Sequence, residues 1–556
     1  MIMTHKMTII ATLLLVVFSL TTAHAQSSAS KTKAADAAKQ DELSSAFTIW
    51  KPVQAEAQNA GEVVRLLQSG NLDETGKITV NNYLQKYFFA RWTDPQNGAE
   101  LGKYRKEVQT LIDSVSNPQG KEILLAQLVS YLYGFATKKE FNPAFRYNAI
   151  LALGDLDAGQ VDGRPSPYPR ALRALYQAYN TKDEQDTARE AIRLGALSGI
   201  RRHVILGISD AQFRDGQIAT LLMDIAKDTP YVKDESANGS SNTDKDLIVL
   251  STNPLAVNTT EPHRTVELHN WFRQNAIETL GYLSGASEPP IQTAIIDTLL
   301  SRINDEMELP SIRYQCAYSL SRYNKTIEAS PDLLKQTTLA LLTLGKVVHD
   351  DGIQTMLDEQ STQQTVGSMG GGMGSTMGGG GMSGGGGMGG SMGMSSGGMS
   401  GSGSTMGQAQ ADQINNSLIQ IKDGLSSIMA GVQGPDFRSG GLVNSEAVKN
   451  MPYHEVLTGL HKTITECVKF LDDGDPEAAK RAKTAQQSAS GMGGMGMSTG
   501  MGTGMMGTGG TTATVKNQPK VTMKEIEDRL RIVKNDIERL RSLANALDSG
   551  VMTASN

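Results

Sequence analysis

The stretch Phe272-Arg273-Gln274-Asn275-Ala276-Ile277-Glu278-Thr279-Leu280-Gly281 decides the fold. Phe272, Ala276 and Leu280 are spaced by four, so a helix through them puts all three on one face, with Arg273 beside the first. The same order of residue types recurs: an apolar or aromatic residue, Arg, two residues, a small or apolar one, three residues, an apolar one. It appears at Tyr104-Arg105 with Val108 and Ile112, at Phe145-Arg146 with Ala149 and Leu153, and at Ile312-Arg313 with Cys316 and Leu320. A looser copy falls at Arg189, with Ile192 and Ala196. Successive arginines lie 41, 43, 84 and 40 residues apart, the long interval being close to two periods with one motif missing. A period of about 40 residues is what two antiparallel helices and their turns require.

Outward from these motifs, partner helices are expected at Lys121–Phe135, Ala171–Tyr179, Gln217–Lys227, Ile291–Ile303 and Leu333–Leu344. Pro143, Pro169, Pro310 and Pro331 fall near helix starts, where a missing N–H costs little. Gly154 and Gly281 follow Leu153 and Leu280 directly and allow close helix contact or an early stop. The missing motif coincides with a polar segment, 228–262, read as a long disordered loop inserted between two helices. Residues 46–97, with Tyr83, Tyr87, Phe88, Phe89 and Trp92, read as a helical cap over the first pair, because a terminal repeat must shield its apolar face.

On these residues the segment 98–359 resembles the HEAT-repeat family of α-solenoids, whose second helix carries a hydrophobic-Arg pair followed by Ala and Leu-Gly. The resemblance implies an acidic residue six positions before the arginine, bonding between neighbouring repeats. Glu140, Asp183 and Glu267 hold that position, whereas Arg105 and Arg313 lack it. It also implies an extended concave surface offered to another macromolecule.

The chain begins as an exported protein would. Lys6 precedes an apolar run from Ile9 to Leu20, and Ala23-His24-Ala25 supplies a small-x-small cleavage pattern. Residues 1–25 are therefore expected to be a signal peptide and 26–45 a flexible leader, placing the mature protein in the periplasm, cell envelope or outside. No later segment is long and apolar enough to span a bilayer. A net charge of −6 over 556 residues, with both signs interspersed, argues against a nucleic-acid partner, which needs a basic stripe. Cys316 and Cys467 are the only cysteines, too few for a disulfide framework, and each reads as a small buried residue in a helix.

Two tracts, Gly367–Gly407 and Gly491–Gly510, are almost entirely Gly, Ser, Thr and Met and are expected to be disordered linkers within 360–410 and 489–518. Their methionines leave three roles open: plain linker, soft adhesive, or Cu(I) ligands, since thioethers select that ion. For copper(I) the candidates are Met369, Met373, Met377, Met392 and Met394 in the first tract, and Met492, Met495 and Met497 in the second.

Helices are expected on either side of the second tract, as a hairpin over 411–488 and a coiled-coil-like helix over 519–550. Met523, Ile526, Leu530, Val533, Ile537, Leu540, Ala544 and Leu547 alternate spacings of three and four, after a capping box at Thr522 and Glu525. Two more stripes share that spacing, Ile414 to Ile428 and Leu457 to Leu471. A bundle closed within the chain accounts for all three stripes, and a homodimer through Met523–Leu547 for one.

The sequence carries no complete catalytic pattern. His454-Glu455 opens like a zinc-protease motif, but Thr458 stands where the second His belongs. Asp155, Asp157 and Asp162 hint at a calcium loop, yet Gln160 occupies the required glycine position. No phosphate-binding glycine loop or nucleophile elbow is present. The sequence thus reads as an all-α exported scaffold or adaptor for a protein partner, with a HEAT-like solenoid and a small C-terminal helical bundle. A Cu(I)-handling envelope protein is the alternative, and an enzyme with a site near 228–262 the third reading.

Overall fold

The computed structural model describes residues 47–183, 185–228, 266–369, 419, 421–435, 441–474 and 523–548. The chain divides into two compact units, Met1–Leu299 and Leu300–Asn556, and its described secondary structure is predominantly α-helical.

The first unit opens with α1 (Gln54–Ala57), α2 (Ala60–Ser69) and α3 (Glu74–Tyr83), a π-helical turn over Leu84–Phe88, and α4 (Ala90–Thr93). Longer helices follow: α5 (Leu101–Asp113), α6 (Pro118–Thr137), α7 (Pro143–Gly154), α8 (Pro169–Tyr179), α9 (Arg189–Leu206), α10 (Ala219–Lys227) and α11 (Val266–Gly281). Start signals are local. Asn117 and Asn142 accept hydrogen bonds from the first free N–H groups of α6 and α7, and Pro118, Pro143 and Pro169 stand at first helical positions.

Helices α6 and α7, α8 and α9, and α10 and α11 pack as sequential pairs. Helix α5 and the second members α7, α9 and α11 also pack each on the next, while α6 lies against α2 and α8. Leu124, Leu128 and Leu132 of α6 and Phe145, Ala149 and Leu153 of α7 are all buried, as this two-sided packing demands. Gly154 and Gly199 let α7 and α9 cross closely, for a Cβ on Gly154 would stand 2.9 Å from the Gly199 Cα.

Three aromatic residues of 46–97, Trp50, Phe89 and Trp92, pack on α6 and α7. Phe89 meets Phe135 at 5.2 Å, Trp92 meets Phe145 at 6.3 Å, and Trp50 meets Phe135 at 5.1 Å. One element departs from the all-helical expectation. The segment weighed as a calcium loop is a β-hairpin, β1 (Asp157–Val161) antiparallel to β2 (Arg164–Pro167). Its turn is Asp162-Gly163, with φ of 52° and 74°, the left-handed pair that an Asp-Gly hairpin turn uses.

The boundary between the units falls inside α12 (Pro289–Asn304). The second unit continues with α13 (Pro310–Leu320), α14 (Asn324–Glu328), α15 (Pro331–Met369), α16 over 421–433, α17 (His454–Gly474) and α18 (Met523–Asp548). Here α18 packs on both α15 and α17. Its stripe Ile526, Leu530, Val533, Ile537, Leu540 and Ala544 is buried, with Ile537 over Gly345, Leu530 near Gly352, and Leu540 over Gly459. The seam weighed as a homodimer contact is therefore filled from within the chain.

Helices α16, α17 and α18, beyond the expected end of the repeat segment at 359, fall in the compact unit that starts at Leu300. Gly424 of α16 abuts Val348 and Tyr314, and Gly431 abuts Leu341. Helix α15 runs on to Met369, past the expected linker start at 360. The signal segment, the leader to residue 46, nearly all of the 228–262 loop and both Met-Gly tracts beyond Met369 lie outside the described residues.

Candidate binding surface: arginine-capped helix pairs and an aromatic cleft

The last carbonyls of an α-helix have no partner within it. Four arginines meet that need in the same way. Arg146 Nε donates to the Ala136 carbonyl at the end of α6 at 3.0 Å, and Arg193 Nε to the Tyr179 carbonyl ending α8 at 3.0 Å. Arg273 Nη2 donates to the Ala226 carbonyl ending α10 at 3.3 Å, and Arg313 Nε to the Ile303 carbonyl ending α12 at 2.7 Å. A cation there also favours the negative end of the helix dipole. Each arginine stands three residues before Ala149, Ala196, Ala276 or Cys316 and seven before Leu153, Ile200, Leu280 or Leu320, all of them buried.

This geometry shifts one motif. The third copy is Ile192-Arg193 with Ala196 and Ile200, not Arg189 with Ile192 and Ala196. Both registers satisfy the downstream spacing, because the apolar face repeats every four residues. The missed signal is the residue before the arginine, Ile192 in one register and the smaller Ala188 in the other. Arg189 lies 3.9 Å from Glu190. Arg105 pairs instead with Asp155 at 3.3 Å, half-exposed, and caps no carbonyl among the described residues.

The carboxylate facing a motif arginine is likewise displaced from the implied position. Glu140 is 3.9 Å from Lys138, Asp183 is 2.6 Å from Lys139, and Glu267 is exposed. Arg146 is met by Asp186, at 2.7 Å from Nη1 to Oδ1 and 2.5 Å from Nη2 to Oδ2, with side chains only 3% and 10% exposed. Burial pushes the Asp186 carboxyl up, but the Arg146 guanidinium and the Ala188 N–H together hold it below the ordinary carboxylate range. This pair joins α7 to the turn before α9. Arg202 adds bonds to the Gly154 carbonyl at 3.2 Å and to Asp157 at 2.7 Å, and Arg201 reaches Glu278 of α11 at 2.7 Å.

A cleft of about 340 Å³ opens between α1, the start of α2, the π-helical turn and α5. Tyr83, Tyr87 and Phe88 line it, and Arg91 and Glu107 are ion-paired in its wall at 2.7 Å. The Arg91 guanidinium lies 4.8 Å from the Tyr87 ring centroid, 5.6 Å from that of Phe88 and 4.9 Å from that of Tyr104. Burial pushes the Tyr83 hydroxyl above its ordinary value.

No protein-family model matches the chain, and it matches no curated protein and no solved structure.

The remaining sequence candidates fall apart in space or into ordinary packing. His454 lies 3.3 Å from the Val443 carbonyl, His461 3.4 Å from Thr465, and His349 2.8 Å from Asp350. Asp155 and Asp157 are engaged by Arg105 and Arg202. Among the described residues no group of three or more His, Cys, Asp or Glu is placed to hold a metal, and no helix is long and apolar enough to cross a membrane. Cys316 and Cys467 are buried free thiols, and burial pushes that of Cys467 up to about 11. The methionine candidates lie outside the described residues, apart from Met369 at the end of α15.

Proposed function

We propose that this chain is an exported, HEAT-like helical-repeat scaffold or adaptor that binds another protein through the surface of its stacked helix pairs. The observation that carries the reading is the arginine cap, four motif arginines each closing the carbonyl end of the preceding helix. A unit that repeats its internal bonding and packs its second helices in chain order supports a stacked array, and such arrays serve as extended binding surfaces. The signal pattern in residues 1–25 supports the envelope or periplasm as the place of action.

Crosslinked affinity capture of the tagged mature protein from the envelope of its native cell tests this. One partner in near-stoichiometric yield is the expected result. No enriched partner across repeated captures overturns it and favours the copper alternative. Equilibrium dialysis of a peptide spanning residues 367–407 against Cu(I) then decides that alternative, since several bound ions require the methionines to act as ligands.

A further inference from the structure

The cleft beside the π-helical turn has features that the repeat packing does not use. Its volume of about 340 Å³ lies within the range of small ligand sites, about 300–1,000 Å³. One wall is the ring of Tyr87, half-exposed, with Tyr83 5.9 Å from it between centroids. Ala57 and Ala60 also line the cleft, and their small side chains leave room for an incoming ring. The π-turn, closed by the Phe89 N–H on the Leu84 carbonyl at 2.8 Å, inserts one residue and so sets where Tyr87 and Phe88 point. Such turns occur often at functional sites.

The polar part of the wall selects the ligand's chemistry. Arg91 and Glu107 neutralise each other at 2.7 Å, so a net charge on the ligand gains little there. Arg91 is held against three rings with its side chain about one-fifth exposed, while Glu107 remains about one-third exposed with lone pairs to offer. A donor and an acceptor side by side, beside aromatic faces, complement a neutral amide attached to an apolar group. We infer that this cleft binds a short uncharged peptide segment, its backbone amide read by the Arg91–Glu107 pair and an aromatic side chain packed on Tyr87. The inference names a partner's chemistry and so rests on the binding role proposed above.

Saturation-transfer NMR on the full mature chain tests it, with the capped tripeptides acetyl-Ala-Phe-Ala-amide and acetyl-Ala-Ala-Ala-amide and the uncapped Ala-Phe-Ala as probes. The capped Phe peptide is expected to bind about tenfold or more tighter than the capped Ala peptide, and tighter than the uncapped form. Thr110→Trp fills the cleft from an exposed position and should abolish that binding with the melting temperature unchanged. Glu107→Gln leaves Arg91 uncompensated and should shift preference towards a peptide with a free carboxylate. Equal binding of the two capped peptides, binding that survives Thr110→Trp, or no saturable binding at millimolar peptide overturns the inference. These titrations use purified protein, so a failed capture from the envelope and a failed titration are told apart.

Discussion

Arg146 serves two groups at once, the last-turn carbonyl of α6 and the buried carboxylate of Asp186. Removing one partner of a buried pair strands the other charge, which costs about 3–5 kcal/mol, whereas exposed pairs contribute about 1 kcal/mol or less. Arg146→Met is therefore expected to lower unfolding free energy by about 3–5 kcal/mol in a denaturant titration. Arg105→Ala, at the half-exposed pair with Asp155, is expected to lower it by about 1 kcal/mol or less. Adding Asp186→Leu to Arg146→Met should recover part of the loss; no recovery would mean that the carbonyl cap dominates.

His203 offers a pH readout at the same scale. Burial, with the charge of Arg202 second, pushes its imidazole down to about 3. At pH 7 the ring is neutral in both the folded and unfolded chain. As pH falls below the ordinary value near 6.5, the unfolded chain gains a proton that the folded chain refuses, so stability declines until the folded value is reached. His203→Met should flatten stability between pH 6 and 4 by up to about 1.4 kcal/mol per pH unit relative to the parent. Identical slopes for both proteins would show that His203 is protonated in the fold. None of this was legible in sequence: His203 stands in a helix among arginines, and only burial sets its state.

For the elements, close helix crossing is the sharpest constraint. A Cβ at Gly154 would meet the backbone of Gly199, which no rotamer change relieves, so Gly154→Ala should destabilise by about 1–3 kcal/mol. Gly134, within α6, has open space around its Cβ position. Gly134→Ala should instead stabilise by up to about 1 kcal/mol, through helix propensity. Thermal melting of the two variants checks the opposite signs. Gly154 after an apolar helical face marked a close contact or an early stop, and the helix both ends there and crosses Gly199; the prolines marked helix starts. The hairpin was carried by Asp162-Gly163, a two-residue turn signal overlooked while the neighbouring aspartates were weighed as ligands. The π-turns at Leu84–Phe88 and Arg214–Ile218 leave no such mark, because a one-residue insertion in a helix is decided by what its side chains must reach.

For the whole molecule, the decisive arrangement is that α18 closes a core shared with α15 and α17. A chain ended at Gly474 should expose the apolar surfaces around Gly345, Gly352 and Gly459, bind the hydrophobic dye ANS and melt at lower temperature than the full chain. Unchanged melting and no dye binding would show that the α18 stripe is dispensable, as a dimer seam on a free helix would be. The sequence by itself determined which residues lie on one helical face, where helices start, and that one arginine-bearing unit returns about every 40 residues. These follow from spacings of three and four and from capping chemistry within a few residues. Tertiary structure alone decided the partners: Arg193 rather than Arg189 on the carbonyl, Asp186 rather than Glu140 on Arg146, α15 and α17 rather than a second copy under α18. An apolar stripe states that it must be covered and an arginine that it must be paired, but the group that does so arrives from dozens or hundreds of residues away, and only the packed chain brings it there.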